Sequence, residues 1–278
     1  MLRVFVDSGS SIKEDEKEKY QVEILPIRYM LGDTEYEDGK DLTIDEFYDI
    51  FINKKYFPKT SLPNLADLEE KVNKYTKQGD DVLILTISSG ISGTNSAITS
   101  LFADNEKVKV VDTLTAVGGI RILVEEVNKH RDEKIEDIVN RINDIIPRIK
   151  VVAVPETLDY LHKGGRLSKA EWLLGSVLNI KPAISVWPKD EGRVKVIAKK
   201  IGAKNAMKYV ANSLVEFDCD ENFSIVPSYT YNKKNLDLLI AMTDEKFKKQ
   251  MIEYDNLDPA IACHWGPNAY GYIFVSKK

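Results

Sequence analysis

Residues 81–94 read Asp-Val-Leu-Ile-Leu-Thr-Ile-Ser-Ser-Gly-Ile-Ser-Gly-Thr, a compact apolar run that passes through a Ser- and Gly-rich loop into a helix-forming segment. Asp81 to Ile87 has the length and the Val/Ile/Leu content of a strand buried on both faces, and Thr94 to Phe102 continues with helical spacing. Leu2 to Val6 and Val108 to Asp112 repeat the strand pattern. Leu65 to Tyr75, with Asn64 as its N-cap and Asp67 in the first turn, and Ala116 to His130 read as further helices. Strands alternating with helices predict a parallel sheet covered by helices. Residues 1–150 are therefore expected to form an N-terminal, Rossmann-like α/β domain.

The alternation is interrupted once, where Ile24 to Leu31 and Thr34 to Glu37 flank Gly32-Asp33 and predict an inserted hairpin within 24–37. Beyond Ile149 the pattern changes. A strand is expected at Lys150 to Val154, a helix opening at Pro155, and a second helix from Lys169 with Ser168 and Glu171 spaced as a capping box. Ala183 to Trp187 and Arg193 to Ala198, joined across Pro188 to Gly192, read as an antiparallel hairpin. Helix Ala203 to Phe217, strand Phe223 to Ser228, helical Lys233 to Met251, and strands Ala260 to His264 and Tyr270 to Val275 follow. Residues 151–278 are thus expected to be a C-terminal α/β domain with antiparallel strands, and 278 residues suit two domains.

Composition narrows the function classes. The net charge is −5, and lysines alternate with acids, as in Lys13-Glu-Asp-Glu-Lys-Glu-Lys19, so no basic face points to nucleic acid. Cys219 and Cys263 lack metal-ligand spacing, so no metal is expected, and two isolated cysteines fit a reducing, cytoplasmic setting. The apolar run Leu2 to Val6 meets Asp7 at once, too short for a secretory signal, and no stretch approaches the ~20 apolar residues needed for membrane insertion.

Ligands of α/β sheets collect beyond the carboxyl ends of the strands, which directs attention to Asp7-Ser-Gly-Ser-Ser11, Thr60-Ser-Leu-Pro-Asn64 and Ser88 to Thr94. Ser92, Gly93 and Thr94 open a helix and would offer backbone N–H groups to a carboxylate or phosphate, or would simply cap that helix. No G-x-G-x-x-G follows a strand and no P-loop occurs, so no nucleotide cofactor is expected. A serine hydrolase acting on acyl esters through Ser92, His264 and Asp7 is the alternative, but Gly90-Ile-Ser92-Gly93 departs from the G-x-S-x-G elbow and no residue is assigned as catalytic. Cys263 and His264, neighbours on an expected strand, would face opposite sides. His130 and His162 read as surface residues at helix ends. Lys163-Gly-Gly-Arg-Leu-Ser168 suits either an anion or a docking partner, or is a solvated helix connection.

Taken in order, Asp7 to Ser11, Ile24-Leu-Pro-Ile27, Lys59-Thr-Ser-Leu-Pro63, Ser88 to Thr94, Leu161-His-Lys-Gly-Gly-Arg-Leu-Ser168, Ile180-Lys-Pro182 and His264-Trp-Gly-Pro267 resemble the DegV family, the fatty-acid-binding proteins that serve bacterial fatty acid kinase. The resemblance implies a long-chain fatty acid such as palmitate, stearate or oleate in an interdomain tunnel. It places the carboxylate on Thr60, Ser92 and His264, with Ser61 and Gly93 as neighbours, and Arg166 where a partner docks. It also implies a carrier without a cofactor of its own, whose bound acid a separate kinase converts to acyl phosphate. Two departures stand out: Gly202-Ala203 where the family often has Arg-Thr, and Asn268 where glycine is usual.

Overall fold

In the computed structural model, which describes residues 1–54, 56–175, 179–252 and 255–278, the chain opens with strand β1 (Leu2–Asp7) and a short helix α1 (Lys17–Tyr20). Strands β2 (Glu23–Leu25), β3 (Arg28–Leu31) and β4 (Thr34–Glu37) follow, then α2 (Ile44–Asn53), β5 (Lys59–Ser61) and α3 (Leu65–Lys77). Next come β6 (Asp81–Thr86), α4 (Thr94–Leu101), β7 (Val108–Asp112), α5 (Gly118–Lys129) and α6 (Ile135–Ile145). The fold is mixed α/β, built on one parallel sheet and two sheets with antiparallel pairing.

The parallel sheet has the order β2-β1-β6-β7. Its period-2 alternation divides β6 cleanly. Val82 and Ile84 join Phe5, Val108 and the inner faces of α3 and α4, whereas Leu83 and Leu85 join Val4, Val6 and the apolar stripes of α5 and α6. Both faces are dry, which is why this strand reads as a continuous apolar run. Asn64 caps α3 by accepting from the amides of Ala66 and Asp67, as its position predicts.

The expected hairpin spans β3 and β4 only. Pro26 separates them from β2, which pairs with β1 in the parallel sheet, so Ile24 belongs to the main sheet and not to the hairpin. β5 adds to β3 with Thr60 opposite Tyr29, making a small sheet of order β4-β3-β5. Three residues with no apolar pattern gave no sign of this strand in the sequence.

In the second half, β8 (Ile149–Val154) leads to α7 (Asp159–Lys163), α8 (Lys169–Gly175), β9 (Ile180–Val186), β10 (Val194–Ile201), α9 (Ala203–Glu216) and β11 (Val226–Tyr229). The chain ends with α10 (Lys234–Met242), α11 (Glu245–Lys248), β12 (Asp255–Asn256), α12 (Pro259–Trp265) and β13 (Tyr270–Val275). The sheet order is β10-β9-β8-β13-β11-β12, with β9 and β10 the predicted antiparallel hairpin. Val152, Val154 and Phe274 face α9 and α10, while Val151, Ala153 and Val275 face the apolar cluster that continues into α5 and the first half. Among the described residues no helix is long and apolar enough to cross a membrane.

Three expectations are corrected here. Pro155 does not open a helix; α7 begins only at Asp159. The helix expected over Lys233 to Met251 breaks at Thr243, whose hydroxyl bonds the Leu239 carbonyl and Tyr272 hydroxyl, and Asp244 caps α11 anew. Ala260 to His264 is a helix, not a strand. Pro259 occupies its first turn, Gly266 closes it at φ +72°, and Ile261 and Trp265, four apart, enter the large core while Ala262 and Cys263 pack on the small sheet. The run Ala-Ile-Ala-Cys fits either period. The flanking Pro and Gly were the signals that separated the two.

Candidate functional site

Loops from both halves meet beyond the carboxyl ends of β2, β6 and β7 and surround a cavity of about 180 Å³, which the Asp7–Ser11 loop, expected from its sequence to face a ligand, does not line. Ile27, Ile87, Ile91, Leu161, Ile261 and Trp265 supply much of its apolar wall. Its polar lining comes from Thr60 and Ser61 on β5, Ser92 in the loop before α4, Arg166 in the α7–α8 connection and His264 on α12, with Gly93 beside Ser92. A larger groove of about 680 Å³, around Met1, Arg3, Lys17 and Arg131, lies at the amino ends of the parallel strands, the end away from which such sheets bind ligands.

Thr60 Oγ1 stands 2.9 Å from His264 Nε2, so the small sheet and α12 together build one polar pair. His264 Nδ1 is enclosed and has no partner among the described residues. Burial, and then the nearby Arg166 charge, lower the imidazole to about 3, so it is neutral at physiological pH. Ser92 Oγ lies 2.9 Å from Thr94 Oγ1 and accepts from the Thr94 amide at 3.3 Å. The hydroxyl therefore closes a tight turn onto the first residue of α4, whose N-cap is Gly93, and lines the cavity at once. Ser61 donates to Glu35, which lies on β4 across the intervening β3, and is exposed, as is Gly93.

Arg166 is half-buried in the cavity wall. Its Nε donates to the Ile91 carbonyl at 2.9 Å and its Nη1 to the Gly164 carbonyl at 2.6 Å, and burial lowers its pKa. Sequence spacing gave no hint that this cation reaches the loop carrying Ser92, because the contact joins residues 75 positions apart.

The triad alternative is not assembled. Asp7 is fully buried and its two carboxylate oxygens accept from the amides of Gly9, at 3.0 Å, and Ile87, at 2.8 Å. Burial pushes this acid up to about 7 against the opposing effect of those two bonds. His264 bonds Thr60, not Ser92 or Asp7. Burial also pushes the Cys263 thiol well up, which removes it as a thiolate. His162 is more than a surface residue: it stacks on Trp172, with ring centroids 5.0 Å apart, and its Nδ1 meets the Leu167 carbonyl. His130 bonds Glu133 at the end of α5. Among the described residues no cluster of His, Cys, Asp and Glu could hold a metal ion.

Of the two departures, Asn268 adopts φ +63°, a conformation asparagine tolerates, so the last loop keeps a left-handed residue without glycine. Gly202 stands at φ +77° just before α9 with open space around it.

A family model described as "Uncharacterised protein, DegV family" matches residues 1–277. A DegV domain-containing protein of Caldanaerobacter subterraneus subsp. tengcongensis is 27% identical over 290 residues, covering 99% of each chain. Among solved structures, a fatty acid binding DegV family protein from Streptococcus agalactiae superposes with a TM-score of 0.89 at 28% identity, over 100% of this chain and 99% of its own. A DegV family protein from Thermus thermophilus, described by its fatty acid binding, gives 0.84 at 25% identity over 99% of both chains.

Proposed function

The chain belongs to the DegV family, and from that membership we propose that it binds a long-chain fatty acid such as palmitate, stearate or oleate between its two halves, as a carrier and not as an enzyme. The observation that supports this most is that Ser92, Thr60 and a neutral His264, the last two 2.9 Å apart, line one cavity together with the apolar side chains of Ile27, Ile87, Ile91, Leu161, Ile261 and Trp265. With Nδ1 enclosed and unpartnered, a proton on Nε2 makes His264 the donor to Thr60 and frees the Thr60 O–H to donate to a carboxylate. Ser92 and the amides opening α4 supply the remaining donors.

Magnitudes divide the work between tail and head. About 15 methylenes at ~0.8 kcal/mol each give a gross transfer gain near 12 kcal/mol, whereas a hydrogen bond to a charged group contributes ~1.5–3 kcal/mol. The tail sets affinity and the head sets orientation. A cavity of about 180 Å³ is below the ~300–1,000 Å³ of ordinary ligand pockets, so loading requires the space between the halves to widen. We place the domain division near residue 150, where one sheet gives way to the next, and a widening at that division separates α12 and α7 from the loops of the parallel sheet.

In this reading the carboxylate stays at the mouth, beside exposed Ser61 and Gly93, where a separate cytoplasmic kinase can convert it to acyl phosphate, and Arg166 contributes to docking that kinase. Organic extraction of the purified protein followed by mass spectrometry tests the carrier reading. The expected result is near-stoichiometric fatty acid of about C14–C18 drawn from the host pool. Protein that carries none, and takes up none when offered it, overturns the reading.

A further inference from the structure

The loop that carries Ser92 is held from across the molecule by a residue that does not line the cavity. Ser88 is fully buried, and its hydroxyl donates to the Gly192 carbonyl at 2.8 Å, joining residues 104 positions apart. The same hydroxyl accepts from the Gly90 amide at 3.0 Å. Its own amide donates to the Thr115 carbonyl at 2.9 Å, and its carbonyl accepts from Ile91 at 3.1 Å and Ser92 at 3.0 Å. Ser92 is therefore one hydrogen bond from Ser88, and Ser88 is one from the tip of the β9–β10 hairpin.

The contact between loop and hairpin is as close as two backbones allow. A Cβ at Gly90 would lie 2.3 Å from the Glu191 carbonyl oxygen, and one at Gly192, which sits at φ +62°, would lie 2.0 Å from Ser88 Oγ. Neither position accepts a side chain without parting the two segments. Just past the tip, Val194 begins β10 and lines the same cavity.

We propose that Ser88 is a positioning residue for the fatty acid head group: its bond to Gly192 lets the hairpin of the second half fix where Ser92 and the opening of α4 stand. This rests on the carrier reading above. Hydrogen bonds to a carboxylate weaken steeply with distance and angle, so a small displacement of Ser92 costs head-group affinity while the tail's burial is unaffected.

The test compares a long-chain fatty acid with the fatty alcohol of equal length, each displacing a fluorescent fatty acid analogue from wild type and from Ser88→Ala. The expected result is roughly a tenfold loss for the acid and less than about twofold for the alcohol, with the temperature midpoint of unfolding recorded alongside. Gly90→Ala, which presses on the Glu191 carbonyl and leaves the Ser88 hydroxyl in place, is expected to show the same selectivity and serves if Ser88→Ala does not fold. Equal losses for acid and alcohol overturn the proposal, because they mark a general structural role. No loss for either overturns it as well. Wild type that binds neither compound sinks the carrier reading itself, a different failure from a wild type that binds the acid and a variant that matches it.

Discussion

Thr60 Oγ1 and His264 Nε2 stand 2.9 Å apart although 204 residues separate them. The pair exists because β5 adds to β3 and because the small sheet packs through Tyr29 and Leu31 on the face of α12 formed by Ala262 and Cys263. Thr60→Val keeps a β-branched residue in the strand and removes the hydroxyl. Fatty acid affinity is then expected to fall by ~1–3 kcal/mol, one lost hydrogen bond to a charged group, with the fold retained. Ser92→Ala should cost a similar amount and also loosen the turn that leads into α4. Competition with a fluorescent fatty acid measures both, and unchanged affinity in both variants moves the head group elsewhere.

The acid dependence of stability isolates His264. Its folded value of about 3 lies below the unfolded 6.5, so the unfolded chain takes up the proton first as pH falls. Stability is lost progressively from about pH 6.5 down to about 3. Between pH about 7.5 and about 5 this amounts to about 2 kcal/mol. Asp7 acts in the opposite sense: its folded value of about 7 exceeds 3.8, so its contribution is larger at low pH and is lost as pH rises from about 4 through 7. The readout is therefore the difference between wild type and His264→Gln in denaturant midpoints at the two pH values. A wild-type slope matching that of the variant would show that His264 is not held neutral by burial.

The parallel sheet was legible because its central strand β6 is buried on both faces and reads as one apolar run, and Leu2 to Val6 and Val108 to Asp112 carry the same compact pattern. The same logic failed at Ala260 to His264, where a short apolar run fits two periods and only Pro259 and Gly266 tell them apart. At β5, Lys59-Thr-Ser61 owes its strand conformation to pairing with Arg28 to Met30, a tertiary cause invisible to local pattern. Ser88 to Thr94 was legible as a Ser- and Gly-rich loop after a strand, whereas Thr60 and Ser61 fall within β5 and His264 within α12, elements the local pattern did not show. Their mutual contacts, Ser88 with Gly192 and Ile91 with Arg166, join the two halves of the chain and have no local signature.

Ala116 is buried and lines the cavity at the end of the loop after β7. Ala116→Leu places three further carbons in a space of about 180 Å³. Overpacking of this kind costs ~1–3 kcal/mol where the surroundings cannot yield, and here it competes directly with the acyl tail. The lipid extracted from this variant is expected to shift to shorter chains or to fall below stoichiometry. An extract identical to that of wild type would place the tail away from Ala116.

A bound acid should also raise thermal stability. At a free concentration of ~100 times the dissociation constant the gain is ~2.7 kcal/mol, and for a chain of this size each kcal/mol moves the midpoint by ~2–4 °C. Delipidated protein is thus expected to unfold about 5–10 °C below the reloaded form in a thermal scan. Equal midpoints would mean that the acid binds folded and unfolded chains alike, which a carrier does not do.

Arg166 has two partners in the structure, the carbonyls of Ile91 and Gly164, and stands where the cavity wall meets the Gly-Gly turn after α7. If it docks a kinase, its charge acts mainly on association rate and salt dependence, as charges at the edge of an interface do. Its bond to Ile91 also steadies the loop before Ser92. That loop keeps three other anchors: the Ser88 bond to Gly192, the Ser88 amide on Thr115, and the Ser89 amide on Asp112. Arg166→Ala is therefore expected to weaken fatty acid binding by only a few fold while reducing kinase-coupled acyl phosphate formation far more, and the turnover that remains should depend less on salt. Measuring lipid affinity and turnover with the same organism's kinase, at low and at physiological ionic strength, separates the two roles. Losses of equal size would assign Arg166 to the lipid site, and no loss in either assay would leave it as the wall contact its two carbonyl bonds describe.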